Sequence, residues 1–266
     1  MIKNYFKIAW RNLVRYKSFS LINIFGLAIG ITCCLLVSLF IMDELSYDKY
    51  HKDAGNIYRV VKDFVNDDGS RLPDATTPPA IGAAIQKDIP EIDKVARLFP
   101  GWGNKFYVRK GEKNFIEENL YRADSSVFDV FTFQFVKGDK KTALKDLHAI
   151  VLTETTAKKY FGNEDPIGKT LEVDTWEPRI VTAVIRDIPE NSHFKFDLLI
   201  PLRFRNDDGT PVDISSNWGW YNYYTYMKLK PRANIVSVDK KIRDVFKKIN
   251  PGIIIISTAR QLPVFI

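Results

Sequence analysis

The sequence predicts an α+β fold, in which one N-terminal transmembrane helix precedes a mixed α/β extramembrane domain. One observation is the uncharged run Ser18–Met42 near the start of the chain. The other is that the remaining sequence alternates short β-rich segments with a few helical stretches, without the regular βαβ rhythm of a doubly wound sheet. The composition, 45% hydrophobic and 27% charged, is typical of globular proteins and excludes a disordered or collagen-like chain.

The uncharged run is long enough to cross a bilayer. As a helix, Ser18–Met42 would measure about 37 Å, against a hydrocarbon core of about 30 Å. It exceeds the apolar region of a signal peptide, and no small-x-small cleavage site follows it. We therefore expect an uncleaved anchor. A cleaved signal peptide and a buried helix of a soluble protein are the alternatives.

Charge on either side of the run predicts its orientation. Five Lys and Arg residues precede it, whereas Asp43, Glu44 and Asp48 follow it closely. The positive-inside rule then places the N-terminus in the cytoplasm and the main domain outside, which in a bacterial inner membrane means the periplasm. Most of the net charge of +7 lies in this N-terminal arm, so no nucleic-acid partner is predicted.

Residues 1–17 are predicted to form a basic amphipathic helix at the membrane surface. One helical face carries Ile2, Phe6, Ala9, Trp10 and Leu13, and the other carries Lys7, Arg11 and Arg15. Such a pattern suits a helix lying in the lipid headgroup plane, which makes membrane lipid a partner. The alternative is that these charges only set the orientation of the span.

Within residues 18–42, Gly26 and Gly30 form a G-x-x-x-G pair. Small residues four positions apart allow a second membrane helix to approach closely, so these two are the candidate site residues for helix packing. The adjacent Cys33 and Cys34 are interpreted as small apolar fillers rather than redox groups.

Residues 43–252 are expected to form the extramembrane domain. Predicted strands lie at Ile57–Phe64, Val95–Phe99, Phe106–Arg109, Phe131–Val136, Ala149–Leu152, Thr170–Asp174, Ile180–Ile185, Phe194–Pro201 and Tyr223–Leu229. Predicted helices run from an N-cap at Thr77 to about Lys87, from Thr153 to about Tyr160 with Gly162 as the stop, and over Val238–Ile249. Turns are predicted at residues 66–69 and 110–112.

No motif for catalysis, cofactor binding or metal binding is present in the sequence. It contains no P-loop, no G-x-S-x-G and no His-Glu-x-x-His, and His51, His148 and His193 lie far apart. We therefore predict no catalytic residue, no cofactor, no metal and no enzymatic activity.

Three polar or aromatic features remain. His193 is interpreted as a turn residue, and the pairs Glu117-Glu118 and Asp207-Asp208 as solvated loops. The aromatic run from Trp218 to Tyr226 is interpreted as a strand with alternating core and rim positions. Stacking of a ligand on that run is the alternative.

Three stretches together resemble one family. They are NIFGLAIGITCCLLVSLFIMDELSYDKYH with NIYRV, then LTETTAKKYFGNEDPIGKTL, then VTAVIRDIPENSHFKFDLL. These resemble the periplasmic core region of MacB/FtsX-like ABC-transporter permeases, and the second stretch is the most specific of the three.

The resemblance implies a permease subunit that couples ATP hydrolysis by a separate cytoplasmic ABC ATPase to motion of a periplasmic domain, for export or mechanotransmission. It further implies two lobes in that domain, a second permease copy in a homodimer, and a periplasmic adaptor or substrate protein as a partner. Family permeases continue into three further membrane helices, so residues 253–266 are expected to be an apolar, truncated tail. A membrane-anchored periplasmic sensor or ligand-binding domain is the alternative, and an anchored periplasmic enzyme is the third possibility.

Overall fold

The structure is a computed structural model that describes residues 2–65, 68–101, 103, 105–174, 177–206, 208, 210–249 and 258–261. It divides into two units, residues 1–46 and residues 47–266, which are described separately.

The first unit consists of two helices. Helix α1 spans Ile2–Arg15, and helix α2 spans Lys17–Glu44 and buries no residue. Among the described residues, α2 is the one helix whose length and apolar composition suffice to cross a membrane. The predicted span is therefore helical throughout. Helix α1 exposes large apolar side chains, including Phe6 and Trp10, beside its basic residues.

The second unit is built on one mixed sheet of 13 strands. Along the sheet the strands follow the order β15-β1-β14-β3-β6-β11-β8-β10-β9-β4-β5, with β2 paired to β1 and β7 paired to β10. The pairs β10–β8 and β11–β6 are parallel, and the other pairs along this order are antiparallel. A mixed α/β domain after one apolar helix confirms the predicted fold class.

The first strands are β1 Ile57–Val65, β2 Arg71–Asp74, β3 Ile92–Phe99, β4 Phe106–Lys110, β5 Lys113–Glu117, β6 Leu120–Ala123 and β7 Phe135–Lys137. The later strands are β8 Ala149–Thr153, β9 Thr170–Val173, β10 Glu177–Ile185, β11 Leu198–Pro201, β12 Phe204–Arg205, β13 Pro211–Val212, β14 Tyr224–Leu229 and β15 Thr258–Gln261. The helices are α3 Ala80–Asp88, α4 Val127–Val130, α5 Glu154–Phe161 and α6 Ile235–Ile249, with a 3-10 turn at Ala54–Asn56. Strands β12 and β13 form a separate pair.

Three of the four apolar clusters formed by the described residues hold the main sheet and its helices together. Helices α3 and α6 cover one face of β1, β14 and β3, with Ile81, Ile85 and Ile242 fully buried. Helix α5 packs on the far end of the sheet, around β4, β8, β9 and β10. Between them lies an aromatic-rich cluster that includes Phe128, Phe131, Phe194 and Phe196.

The motif at residues 153–162 folds as predicted. Thr153 is the N-cap of α5, and its side-chain oxygen accepts from the backbone N–H of Thr156. Gly162 ends the helix with φ of 62°, a conformation that glycine adopts without strain. Local chemistry therefore determines this element.

Several predicted elements differ from the observed ones. Thr77 caps no helix, because its backbone pairs with Tyr223 and its hydroxyl lies 2.7 Å from the hydroxyl of Thr225. Helix α3 begins after Pro79 instead. The strands predicted at 131–136 and 194–201 are confined to Phe135–Lys137 and Leu198–Pro201, because the aromatic residues before each strand turn into the central cluster.

The predicted tail is partly a strand. Of the predicted apolar tail, residues 258–261 form β15, which pairs with β1 through Tyr58 and Gln261. The rest of that tail, residues 253–257 and 262–266, lies outside the described residues, as do Asn66 and Asp67 of the predicted turn.

Candidate coupling site after the membrane helix

The chain enters the second unit through an unusual aspartate. Asp48 has φ of 58°, in the left-handed region, and its side chain is fully buried. Its backbone N–H donates to the carbonyl of Asn191 at 2.9 Å, and its Oδ1 accepts from the backbone N–H of His193 at 3.2 Å. Asp tolerates this backbone conformation better than most residues, which is one reason for its presence here.

His193 is the partner of this carboxylate. Its Nδ1 lies 2.7 Å from Oδ2 of Asp48, and both side chains are almost completely buried. Its Nε2 lies 2.7 Å from the hydroxyl of Tyr226 on β14. Removing either partner of a buried pair would leave the other without compensation for its lost hydration, so the pair depends on both.

Tyr226 connects the pair to the middle of the sheet. It lies directly opposite Arg59 of β1, whose guanidinium interacts with its hydroxyl. Burial raises the pKa of Tyr226, so the phenol stays neutral and remains able to donate a hydrogen bond. The carboxylate, the imidazole and the phenol thus form one chain of contacts from the start of the unit to its central strands.

Tyr50 makes a second tie to the same loop. Its hydroxyl lies 3.0 Å from Oγ of Ser192, which in turn donates to the carbonyl of Phe194 at 2.8 Å. Burial raises the pKa of Tyr50 to about 12. The segment after the helix is therefore held to residues 191–194 at both Asp48 and Tyr50.

His51 makes a third tie, to a different part of the chain. Its Nδ1 accepts from the backbone N–H of Thr132 at 3.1 Å, and the backbone N–H of Lys52 donates to Oγ1 of Thr132 at 3.0 Å. The ring packs on Phe131 at 5.0 Å between centroids. Burial lowers the pKa of His51 to about 4, so the ring is neutral at neutral pH.

We call this set the clamp, which comprises Asp48, Tyr50, His51, Ser192, His193 and Tyr226. A neutral histidine and phenols of raised pKa are poor acids and bases near neutral pH, whereas they are good fixed hydrogen-bonding groups. In the described part of the chain, no three or more His, Cys, Asp or Glu side chains form a group fit to hold a metal ion. The groups of the clamp are therefore suited to holding distant segments of the chain together.

The structure brings together two of the three histidines, which sequence reasoning treated as isolated. His51 and His193 both adjoin Asp48, whereas His148 lies beside Glu177 elsewhere. His193 does lie in a bend, but it is buried and paired rather than an ordinary turn residue. Their contact was not predictable by spacing, because it joins residues far apart in sequence.

Glu117 contradicts the prediction of a solvated loop. It ends β5 on the side that faces the core, where its carboxylate accepts from Tyr160 and, at 2.7 Å, from Nζ of Lys159. Asp207 lies outside the described residues, and Asp208 is exposed and accepts from Thr210.

The candidate packing residues lie on α2 as expected. A Cβ added at Gly26 or at Gly30 would meet no described atom within 4 Å, so both positions are open to a partner. Helix packing through them stays a prediction.

Two sequence motifs make up most of the clamp, and they were noticed only for their resemblance. The stretch DELSYDKYH supplies Asp48, Tyr50 and His51, and PENSHF supplies Ser192 and His193. The signal that was available is chemical: DELSYDKYH concentrates His, Tyr, Ser and Asp, and PENSHF combines Ser and His, in short segments that flank predicted strands.

Comparison with known proteins identifies the family. A profile described as the MacB-like periplasmic core domain matches residues 20–245. No curated protein matches this chain.

Three solved structures share the fold. One is a domain of a Porphyromonas gingivalis protein provisionally named a permease, with 21% identity, a TM-score of 0.66, and coverage of 80% of this chain and 92% of that one. The periplasmic region of MacB from Actinobacillus actinomycetemcomitans has 18% identity and a TM-score of 0.54, covering 77% and 89%. The extracellular domain of YknZ, a noncanonic ABC-type transporter from Gram-positive bacteria, has 16% identity and a TM-score of 0.53, covering 77% and 100%.

At these identities the solved structures show the fold alone, whereas the profile covers most of the chain, including every residue of the clamp. The chain belongs to the family of MacB-like periplasmic core domains.

Proposed function

We propose that this chain is the membrane-anchored part of a permease subunit of a MacB/FtsX-type ABC transporter. A separate cytoplasmic ATPase hydrolyses ATP, and the resulting movement of the membrane helix is passed to the domain outside. Family membership supports this assignment. The fold shared with two solved domains supports it too, since one is from MacB and the other is from YknZ, which is named as an ABC-type transporter.

The clamp is the observation that carries the proposal. Asp48 follows the end of α2 at Glu44 by four residues, so any displacement of the helix reaches the second unit through this short segment. The segment is tied at Asp48 and Tyr50 to residues 191–194, and at His51 to Thr132. Because these three ties reach two distant parts of the chain, the domain would move as one body rather than unravel at its first residues.

The remaining parts of the proposal concern placement and partners. Helix α2 crosses the bacterial inner membrane with the N-terminus in the cytoplasm and the main domain in the periplasm, as the basic arm and the acidic residues after the helix favour. Helix α1 lies on the lipid surface. A second copy packs on Gly26 and Gly30, and an adaptor or substrate protein meets the outer domain.

The test is to tag the protein at its natural locus and to cross-link it in its own membranes. Proteins recovered with it are identified by mass spectrometry, and the purified assembly is assayed for ATP hydrolysis. The proposal predicts an ABC ATPase among the recovered proteins and hydrolysis that depends on it. Recovery of the protein without any nucleotide-binding partner would contradict the proposal and favour a stand-alone sensor.

A matched pair of variants separates coupling from folding. Asp48→Asn removes the charge of the clamp, whereas Asp53→Asn removes a partly exposed carboxylate that pairs with Lys228 at 2.5 Å. The proposal predicts that both variants recover the ATPase, and that only Asp48→Asn loses the activity of the assembled transporter. Equal activity in the two variants would contradict a role for the clamp.

A further inference from the structure

We propose that the domain carries a binding site for a small organic anion with a flat aromatic body, in a cavity next to the clamp. The cavity has a volume of about 390 Å³, within the range of small-molecule sites. Residues that line it and matter to the argument are Arg59, Asp74, Tyr121, His193, Tyr224 and Tyr226.

The cavity lies on one face of the central strands. Arg59 on β1 is directly opposite Tyr226 on β14, so their side chains emerge on the same face of the sheet. Tyr224 is two residues before Tyr226 and therefore shares that face. Tyr121, from β6, and His193, from the loop of the clamp, complete the aromatic part of the wall.

The cavity wall holds the guanidinium of Arg59 and the carboxylate of Asp74. Asp74 on its rim is already neutralised, because it pairs with the buried Lys62 and accepts from both the N–H and the hydroxyl of Thr76 at 2.8 Å. The guanidinium of Arg59 interacts with the hydroxyl of Tyr226, but among the described residues no carboxylate lies within ion-pair distance of it and its buried Nε has no hydrogen-bond partner. A guanidinium in this state is suited to a carboxylate, which it binds through charge-assisted hydrogen bonds.

The aromatic walls indicate the rest of the ligand. The hydroxyls of Tyr121 and Tyr224 make no hydrogen bond to another described residue, so both are free to donate to an anion. Their rings, with that of Tyr226, offer flat apolar surface to an aromatic body. An aromatic carboxylate satisfies the guanidinium, the phenols and the ring faces together.

The site is separate from the proposed coupling but adjoins it. His193 and Tyr226 belong to both the cavity wall and the clamp. A ligand held there would therefore stabilise the clamped form by mass action. Binding requires no ATPase, so the inference stands or falls independently of the proposed function.

The experiment uses the full chain in lipid nanodiscs and titrates it calorimetrically with 2-naphthoate, with empty nanodiscs subtracted. The neutral 2-naphthamide has the same ring system and serves as the control ligand. We expect saturable binding of 2-naphthoate at one site per chain and binding of 2-naphthamide weaker by about tenfold or more, because the charge-assisted contact is lost. Absence of saturable naphthoate binding, or equal binding of the two ligands, would overturn the inference.

Variants locate the site. Arg59→Met removes the charge at similar volume and is expected to weaken naphthoate binding about tenfold or more, whereas Lys87→Met on the exposed side of α3 leaves it unchanged. Tyr224→Phe removes one donor and is expected to weaken binding severalfold. If Arg59→Met does not fold, as judged by circular dichroism, Tyr224→Phe decides the matter. Binding unaffected by the variants that do fold would overturn the assignment.

Discussion

The Nδ1 of His193 lies 2.7 Å from Oδ2 of Asp48, although 145 residues separate the two in the chain. The carboxylate belongs to the short segment after α2, and the imidazole belongs to the loop that precedes β11. Their contact ties the first residues of the second unit to its interior.

Replacing Asp48 tests how much this contact contributes to the free energy of unfolding. Asp48→Asn tolerates the left-handed backbone but removes the charge that faces His193. We expect the free energy of unfolding to fall by about 1–3 kcal/mol, measured by chemical denaturation of the full chain in nanodiscs. Asp53→Asn, which weakens a partly exposed pair, is expected to change it by less than about 0.5 kcal/mol. Equal losses in the two variants would argue against the clamp.

We expect low pH to lower the stability of the domain, because His51 is buried in its neutral form. Its pKa is about 4 in the folded domain and about 6.5 when unfolded, so the unfolded chain takes up the proton first as pH falls. The stabilisation is fully present above about pH 6.5 and is lost as pH falls toward 4, to a total of about 3 kcal/mol. Asp48 raises this pKa and His193 lowers it, but burial outweighs both.

The measurement is the free energy of unfolding of the wild type and of His51→Gln between pH 4 and pH 8. The free energy of unfolding of the wild type should exceed that of His51→Gln at pH 8, and this difference should shrink as pH falls. His148→Gln, at a partly exposed histidine beside Glu177, is the comparison variant, and the dependence attributed to His51 must still be present in it. An advantage that stays constant across this range would contradict the buried, neutral state of His51.

At Gly138 the backbone lies close to β10, and a substitution there tests this contact. Its φ is 82°, and an added Cβ would lie 2.5 Å from the carbonyl oxygen of Thr182 and 2.8 Å from Cα of Ala183. Gly162 also has positive φ, at 62°, but a Cβ there meets nothing within 4 Å. Gly138→Ala should therefore destabilise by about 3 kcal/mol or more, and Gly162→Ala by about 1–2 kcal/mol. Thermal unfolding that ranks the variants in reverse order would contradict the register of β7 on β10.

The packing face of α2 is open to a direct chemical test. Cys33 and Cys34 lie three and four residues after Gly30, so they share its face of the helix. If a second copy packs on Gly26 and Gly30, mild oxidation in membranes should form a disulfide-linked dimer. The double variant Gly26→Leu with Gly30→Leu should abolish the dimer, whereas Ala28→Leu, on the other side, should not. Undiminished cross-linking in the double variant would exclude this face.

Sequence reasoning succeeded where local chemistry determines the structure. Thr153 and Gly162 delimit α5 as predicted, because a cap and a stop signal act within a few residues. The apolar run became α2 as predicted, because its length and composition are local properties of the sequence. Thr77 failed as an N-cap because pairing with Tyr223, a contact across the fold, outweighed its local preference.

The clamp was beyond sequence reasoning for a different reason. Asp48, His51 and His193 each resemble ordinary polar surface residues, and only the folding of β14 and the loop at 191–194 brings them together. Glu117 was misjudged in the same way, since its burial follows from the position of Tyr160 on α5. When residues far apart in sequence bury a polar side chain, the sequence shows no periodic pattern from which that burial could be predicted.

The most direct test of the account measures motion in the assembled transporter. Spin labels placed on the outer domains of the two copies report their separation by pulsed electron paramagnetic resonance, with and without ATP. The account predicts a nucleotide-dependent change in the wild type and in Asp53→Asn, and its loss in Asp48→Asn while ATP hydrolysis continues. An unchanged response in Asp48→Asn would contradict the claim that the clamp passes the movement of the helix to the domain.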